Sequence, residues 1–166
     1  LVQTMLLSAF ARQWDTMLRR YEGLALDSWF EQMADSLKKE VTPLETFDEQ
    51  YQMLFVEKSE EQQARELSDM VLKTDSMRRS FQTMTRAYYS GNLDSMWKVL
   101  STSSGTQADP DLERLLKQRN RKWLEALPGL MERKSQFVAV GAAHLAGPEG
   151  LVAGLKAKGY QVTQVL

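Results

Sequence analysis

The stretch FVAVGAAHLAGPEGLVAGLKAKGYQVTQVL, residues 137–166, decides the fold that the sequence predicts. Phe137 to Val140 is an apolar run typical of a buried strand, and Leu151 to Lys158 has the composition of a helix. Tyr160 to Leu166 favours a second strand. A strand, a helix and a strand within about 30 residues form a βαβ unit, which implies parallel strands. We therefore predict strand, helix and strand over residues 136–166.

The segment upstream of this unit has a helical pattern from residue 46 to residue 134. Thr46 and Glu49 have the S/T-x-x-E spacing of a capping box, so a helix should begin there. Just before it, Val41 to Glu45 (VTPLE) favours a short strand. The predicted fold class is therefore a mostly helical α/β domain with a small sheet that contains parallel strands and a large helical insertion, residues 46–134, between strands.

Composition sets limits on the class of protein. A chain of 166 residues that is 43% hydrophobic can bury one core, so a single domain over residues 1–166 is expected. Its 21 basic and 22 acidic residues are interspersed, which gives no basic surface for nucleic acid. No apolar stretch has the length of a membrane span, and there is no cysteine. The start, LVQTMLLSAF, lacks an initiator Met, so we expect a fragment of a longer chain.

His144 is the only histidine of the chain and follows the first strand of the predicted βαβ unit. Ligands collect at the carboxyl ends of parallel strands. Glu45 ends its own predicted strand, so in one parallel sheet its carboxylate and the imidazole would point to the same edge. Such a pair suits either two metal ligands or a general acid and base.

Arg119 and Asn120 interrupt the apolar stripe of the helix DLERLLKQRNRKWLEAL, residues 111–127. The step from Leu116 to Trp123 passes through these two residues, so at least one of them should lie on the buried side. An inward guanidinium requires an acceptor of negative charge, and Glu45, a substrate carbonyl or a developing oxyanion would each serve.

Structural roles account for the same residues equally well. His144 can be a hydrogen-bonded turn residue, and Glu45 can be a helix cap stabilised by the helix dipole. Arg119 or Asn120 can form buried structural hydrogen bonds. Gly141 and Gly147 can serve only to let the chain turn sharply.

The order of segments resembles the TraB/GumN family of bacterial proteins, which is related to the animal Tiki proteins. The resemblance rests on four stretches: VTPLETFDEQ (41–50), AYYSGNL (87–93), RNRKW (119–123) and VGAAHLAGPEGLVAGLKAKGYQV (140–162). It implies an α/β fold with a helical insertion, like that of the ChaN and erythromycin esterase relatives. The matched domain would be the C-terminal portion of the family's domain.

The resemblance also implies a site made from two G-x-x-H motifs, a glutamate and an arginine. Gly141 to His144 matches the second motif, Glu45 matches the glutamate, and Arg119 with Asn120 matches an RN pair. The first G-x-x-H has no counterpart in this sequence. The Tiki relatives imply a metal-dependent peptidase, in which His144 and the histidine of the first motif hold a divalent ion (Mn, Co or Zn). Glu45 would activate the attacking water or complete the metal shell, and Arg119 would stabilise the tetrahedral oxyanion.

Two functions follow as expectations. The first is a metal-dependent hydrolase of a peptide or small-molecule substrate, incomplete and weakly active or inactive as this fragment. The alternative is a non-catalytic module of the cell envelope that binds a partner or a polysaccharide precursor. Family resemblance implies a location in the bacterial periplasm or cell envelope. A third expectation is a purely structural interaction domain formed by the helices, which a stable homo-oligomer in solution would support.

Overall fold

The computed structural model describes residues 2–56, 59–103 and 112–165. Two compact units divide the chain, Leu1–Leu72 and Lys73–Leu166. In its described residues, each unit consists mainly of helices. Within the described ranges, no helix is long and apolar enough to span a membrane.

The first unit consists of short helices. They are α1 (Val2–Trp14), α2 (Thr16–Arg20), α3 (Leu26–Ser36), α4 (Phe47–Tyr51), which continues as a wider π-helical turn (Gln52–Val56), and α5 (Glu60–Leu72). The predicted capping box at α4 is confirmed: Thr46 Oγ1 accepts from the amide of Glu49, and the Glu49 carboxylate accepts from the amide of Thr46. Among the side chains described in this unit, Asp15 and Met53 are the buried ones.

The second unit contains the longer helices and the C-terminal segment. Its elements are α6 (Thr74–Tyr89), α7 (Leu93–Ser103), a π-helical stretch (Glu113–Gln118) that continues into α8 (Arg119–Arg133), a 3-10 turn (Ala142–Leu145) and α9 (Leu151–Ala157). The predicted helix at 151–158 is confirmed to within a residue. Residues 104–111, which follow α7, lie outside the described residues.

The predicted sheet is wrong for the part of the chain that the structure describes. Val41 to Glu45, Phe137 to Val140 and the described residues of the last segment, 160–165, belong to no strand. The C-terminal βαβ unit is therefore a helix flanked by two irregular segments, and the described ranges are helical and irregular rather than α/β.

A strand exists only as part of a hydrogen-bonded ladder, and this explains the error. Apolar β-branched residues favour extended backbone, but the pattern does not report whether a partner lies alongside. The described backbone hydrogen bonds include none between residues 137–140 and 160–165. Phe137 is 75% exposed, so it does not begin the buried strand that the apolar run 137–140 predicted. In VTPLE, Pro43 has no amide hydrogen to donate.

The core of the second unit packs the segment that holds His144 against α6 and α7. Ala87, Met96 and Ala146 are buried together, and Met84, Leu93, Trp97 and Ala142 pack around them. Because Ala142 and Ala146 lie on either side of His144, this cluster positions the turn that contains the histidine.

Gly147 allows the chain to leave this turn. Its φ of 82° lies in the left-handed region, and the ring of Trp97 occupies the space that a Cβ would need. The prediction that Gly147 serves a sharp turn is therefore confirmed. Gly141 has φ −59° and ψ 136°, which any residue adopts.

Gly147→Ala should lower the free energy of unfolding by about 1–3 kcal/mol, because it adds backbone strain and a clash with Trp97. Gly129→Ala is the matched control. Gly129 lies inside α8, and beyond its own helical turns no described atom lies within 4 Å of the place that an alanine methyl would occupy. Alanine there should raise stability by up to about 1 kcal/mol. Chemical denaturation measures both changes, and equal effects of the two substitutions would contradict the role of Gly147.

Candidate functional site

The helix formed by residues 112–133 presents two of the predicted site residues. Asn120, Trp123 and Leu127 are buried at spacings of three and four, so they form one face of α8. The prediction that Arg119 or Asn120 lies on the buried side is confirmed, since Asn120 is 2% exposed. The interruption in the apolar stripe thus marks a buried amide.

His144 lies in the 3-10 turn and is buried, with 5% of its surface exposed. Its amide donates to the carbonyl oxygen of Gly141 at 2.9 Å, which closes the turn. One face of the imidazole is covered by the indole of Trp123, with ring centroids 4.4 Å apart. The hydrogen bond of the turn and the indole of Trp123 on α8 therefore fix the position of the imidazole.

Asn120 joins both ends of the loop after His144 to α8. Its Nδ2 donates to the carbonyl oxygen of His144 at 3.2 Å and to that of Glu149 at 2.8 Å. Its Oδ1 lies 2.8 Å from Nδ1 of His144. Both carbonyls can only accept, so the NH2 group must face them, and the oxygen must face the imidazole.

This orientation determines the tautomer of His144. Because Oδ1 of Asn120 is an acceptor, Nδ1 of the imidazole carries the hydrogen. Nε2 then has the lone pair, and Nη1 of Arg119 lies 3.2 Å from it in position to donate. The network is satisfied by a neutral imidazole whose Nε2 points to the guanidinium.

Arg119 lies between the histidine and the tryptophan. Its Nη1 also donates to the carbonyl oxygen of Leu115 at 3.2 Å, and its guanidinium carbon is 4.8 Å from the Trp123 ring centroid, a cation–π distance. The inward guanidinium is confirmed, whereas its contact with an anion stays a prediction. Nε1 of Trp123 is a buried donor for which the described residues provide no acceptor.

Glu45 belongs to the other compact unit. It is half-buried in the bend that precedes the Thr46 cap. Its approach to His144 stays a prediction. Within residues 2–56, 59–103 and 112–165, no three His, Cys, Asp or Glu side chains lie together in a way that would hold a metal ion. The structure therefore brings together three of the four predicted site residues.

An ionic network beside this site was not predicted. The carboxylate of Glu149 accepts from Lys117 Nζ and from Arg121 Nη1, each at 2.8 Å. Glu113 pairs with the same two cations, at 3.7 Å from Lys117 and through a short contact with Arg121. The spacing of residues 113, 117 and 121 indicates one charged helix face. This spacing does not indicate that Glu149, 28 residues after Arg121, is their partner.

The network shifts the pKa of its members in the directions expected for ion pairs. The hydrogen bond from Lys117 is the main cause that lowers the pKa of Glu149 below its ordinary 4.5. The hydrogen bond to Glu149 is likewise the main cause that raises the pKa of Lys117 above 10.5. Both shifts favour the charged forms.

Asn120→Ala should lower the free energy of unfolding by about 1–3 kcal/mol, because the carbonyls of His144 and Glu149 and Nδ1–H of His144 lose their hydrogen bonds to the amide. Gln118→Ala is the control on the same helix, since Gln118 is exposed, and its change should stay within about 0.5 kcal/mol. Thermal unfolding measures both. A loss no greater than that of the control would show that the amide network contributes nothing.

The ion pairs of Glu149 should make stability depend on pH at both ends of the scale. Because the pKa of Glu149 is lowered, its ion pairs contribute fully to the free energy of unfolding above pH 4.5. This contribution is lost as pH falls through the pKa of Glu149 in the folded state. Because the pKa of Lys117 is raised, its ion pair contributes fully to the free energy of unfolding below pH 10.5. That contribution is lost as pH rises through the pKa of Lys117 in the folded state. The pair of Lys117 with Glu149 is partly exposed and contributes about 0–1 kcal/mol. Unfolding midpoints of wild type and Glu149→Gln should therefore converge as pH falls below 4.5, and a constant difference would contradict the assignment.

Comparison with known proteins identifies a family. Residues 2–164 match the TraB/PrgY/gumN family. The chain matches none of the curated proteins and none of the solved structures. The family match extends over nearly the whole sequence, including the helix with Arg119 and Asn120 and the turn with His144. The chain belongs to the TraB/PrgY/gumN family.

Proposed function

We propose that this chain is part of a metal-dependent hydrolase of the cell envelope that acts on peptides, with His144 as its central side chain. The observation that carries the proposal is the orientation of the imidazole. Asn120 holds Nδ1–H, which leaves the lone pair of Nε2 beside a guanidinium. The peptide as substrate class rests on the resemblance to the Tiki proteins.

The candidate ion is Mn, Co or Zn, and the residues fit it only in part. Histidines that ligate metals commonly donate their other ring nitrogen to a fixed oxygen, as His144 does to Asn120. Catalytic zinc, however, is usually held by three protein ligands, and the described residues do not assemble such a set. Glu45 is the proposed carboxylate ligand. When bound, the ion would polarise a carbonyl or lower the pKa of a water.

The chain's own groups can contribute to hydrolysis beside such an ion. Arg119 would move from Nε2 by rotation of its long side chain and donate to the oxygen that becomes negative at the tetrahedral stage. The indole N–H of Trp123 is a second donor, since its hydrogen-bonding capacity is unmet within the described residues. Asn120 would keep Nε2 aimed throughout, because its amide is held by two backbone carbonyls.

His144→Ala should abolish metal-stimulated peptide hydrolysis in the natural full-length protein. Glu45→Gln should reduce it at least about tenfold if this carboxylate acts on the ion or water, an effect in the range of lost acid–base groups. Glu31→Gln, an exposed change on α3, is the control and should leave the rate unchanged. The measurement is cleavage of a peptide library with each of the three ions.

Metal-stimulated cleavage that survives His144→Ala would refute the proposal. Binding is tested separately by adding Co²⁺ and recording the NMR signals of the imidazole, which has no other histidine to overlap it. Paramagnetic shifts at Nε2 are expected in the wild type, and imidazole signals that Co²⁺ leaves unchanged would contradict metal binding at His144.

A non-catalytic binding role is the second candidate, and the surface of α3 favours it. Leu26, Trp29, Met33 and Leu37 recur at helical spacing and are all exposed. Contiguous exposed apolar side chains commonly mark interaction sites. Unchanged function in the cell after removal of both Glu45 and His144 would favour this candidate over the hydrolase.

A further inference from the structure

Glu149 is attached to the helix formed by residues 112–133 in two independent ways. Its backbone oxygen accepts from Nδ2 of Asn120, while its carboxylate bridges Lys117 and Arg121. The three donors lie within five consecutive residues of the helix. The end of the loop that begins at His144 is thereby fixed to the helix that also positions the imidazole.

The contacts of Asn120 connect Glu149 to His144. The two hydrogens of Nδ2 point to carbonyls at opposite ends of the loop, His144 and Glu149. If the Glu149 end moves away, one of these hydrogens loses its acceptor, and the amide is free to rotate about its terminal torsion, which is soft. Rotation withdraws Oδ1 from Nδ1, so the preference for one imidazole tautomer then rests on the guanidinium of Arg119 beside Nε2 and becomes weaker.

The exposure of the ion pairs indicates that stability is not their main effect. The side chain of Glu149 is 39% exposed and that of Arg121 is 53% exposed. Exposed pairs contribute little to stability because water and salt screen them. Two pairs that converge on one carboxylate still restrict the position of the loop, since they act together with the backbone hydrogen bond.

We propose that Glu149 is a positioning residue for His144. Its ion pairs with Lys117 and Arg121 hold the loop so that Asn120 keeps the hydrogen on Nδ1 and the lone pair on Nε2. This inference rests on the proposed function only in treating His144 as the functional side chain. The geometry on which it depends contains neither metal nor substrate.

The test records ¹⁵N NMR signals of the imidazole in the whole protein at about pH 8, where an ordinary histidine is neutral. The wild type should give one pyrrole-type nitrogen, Nδ1, and one pyridine-type nitrogen, Nε2. Glu149→Ala should move the two signals toward each other by at least a third of their separation, because the tautomers then exchange. Glu149→Gln should give a smaller change in the same direction.

Asp75→Asn is the matched control. It removes an exposed ion pair with Arg78 near the start of α6, at the other end of that helix from Met84 and Ala87, which pack against the segment holding His144. The imidazole signals of the Asp75→Asn protein should coincide with those of the wild type. About 1 M salt, where the screening length is about 3 Å, should shift the wild type toward Glu149→Gln and leave Glu149→Ala unchanged.

Removal of the cations provides a second route if Glu149→Ala does not fold. The double substitution Lys117→Ala with Arg121→Ala leaves the loop sequence intact and should produce the same convergence of signals. Two sharply separated nitrogens in either altered protein, as in the wild type, would overturn the inference. A hydrolase that retains activity without His144 would refute the proposed function and leave this result untouched.

Discussion

The amide of Asn120 is the contact on which the arrangement around His144 depends. It joins α8 to the carbonyls of His144 and Glu149 and at the same time holds Nδ1 of the imidazole. An amide can serve all three partners because it combines two donors with one acceptor. Neither aspartate nor leucine, though close in size, has that combination. The buried polar position in an otherwise apolar helix face is therefore a consequence of what the amide connects.

Two further groups of contacts support this amide from outside. Trp97 and its neighbours pack against Ala142, Ala146 and Gly147, which fixes the turn from the side of α7. The ion pairs of Glu149 fix the end of the loop against α8. A buried histidine with an oriented lone pair is thus supported by apolar packing on one side and by charge on the other. Glu45, in the first unit, is half-buried in a bend.

Local patterns in the sequence predicted the parts of this site that local structure determines. The capping box at Thr46 needs only four residues, and the break in the apolar stripe at Arg119 and Asn120 needs only one helix. The strands failed because pairing depends on a second segment that no pattern within VTPLE or FVAV describes. Glu149 was missed for a similar reason: its partner Arg121 lies 28 residues away, and only the folded chain brings them together. Gly141 was predicted to allow a sharp turn, but its φ and ψ are ordinary values that do not require glycine.

The π-helical stretch from Glu113 to Gln118 has a consequence for how this segment can change in evolution. Each residue of a regular helix rotates the next by about 100°. If the stretch keeps its π-helical pitch, loss or gain of a single residue there would rotate the charged side relative to α8 and carry the amide away from the imidazole. Point substitutions on the exposed side of this helix leave the rotation between its residues unchanged. The spacing between Leu112 and Asn120 is therefore constrained more tightly than the identity of most side chains within it.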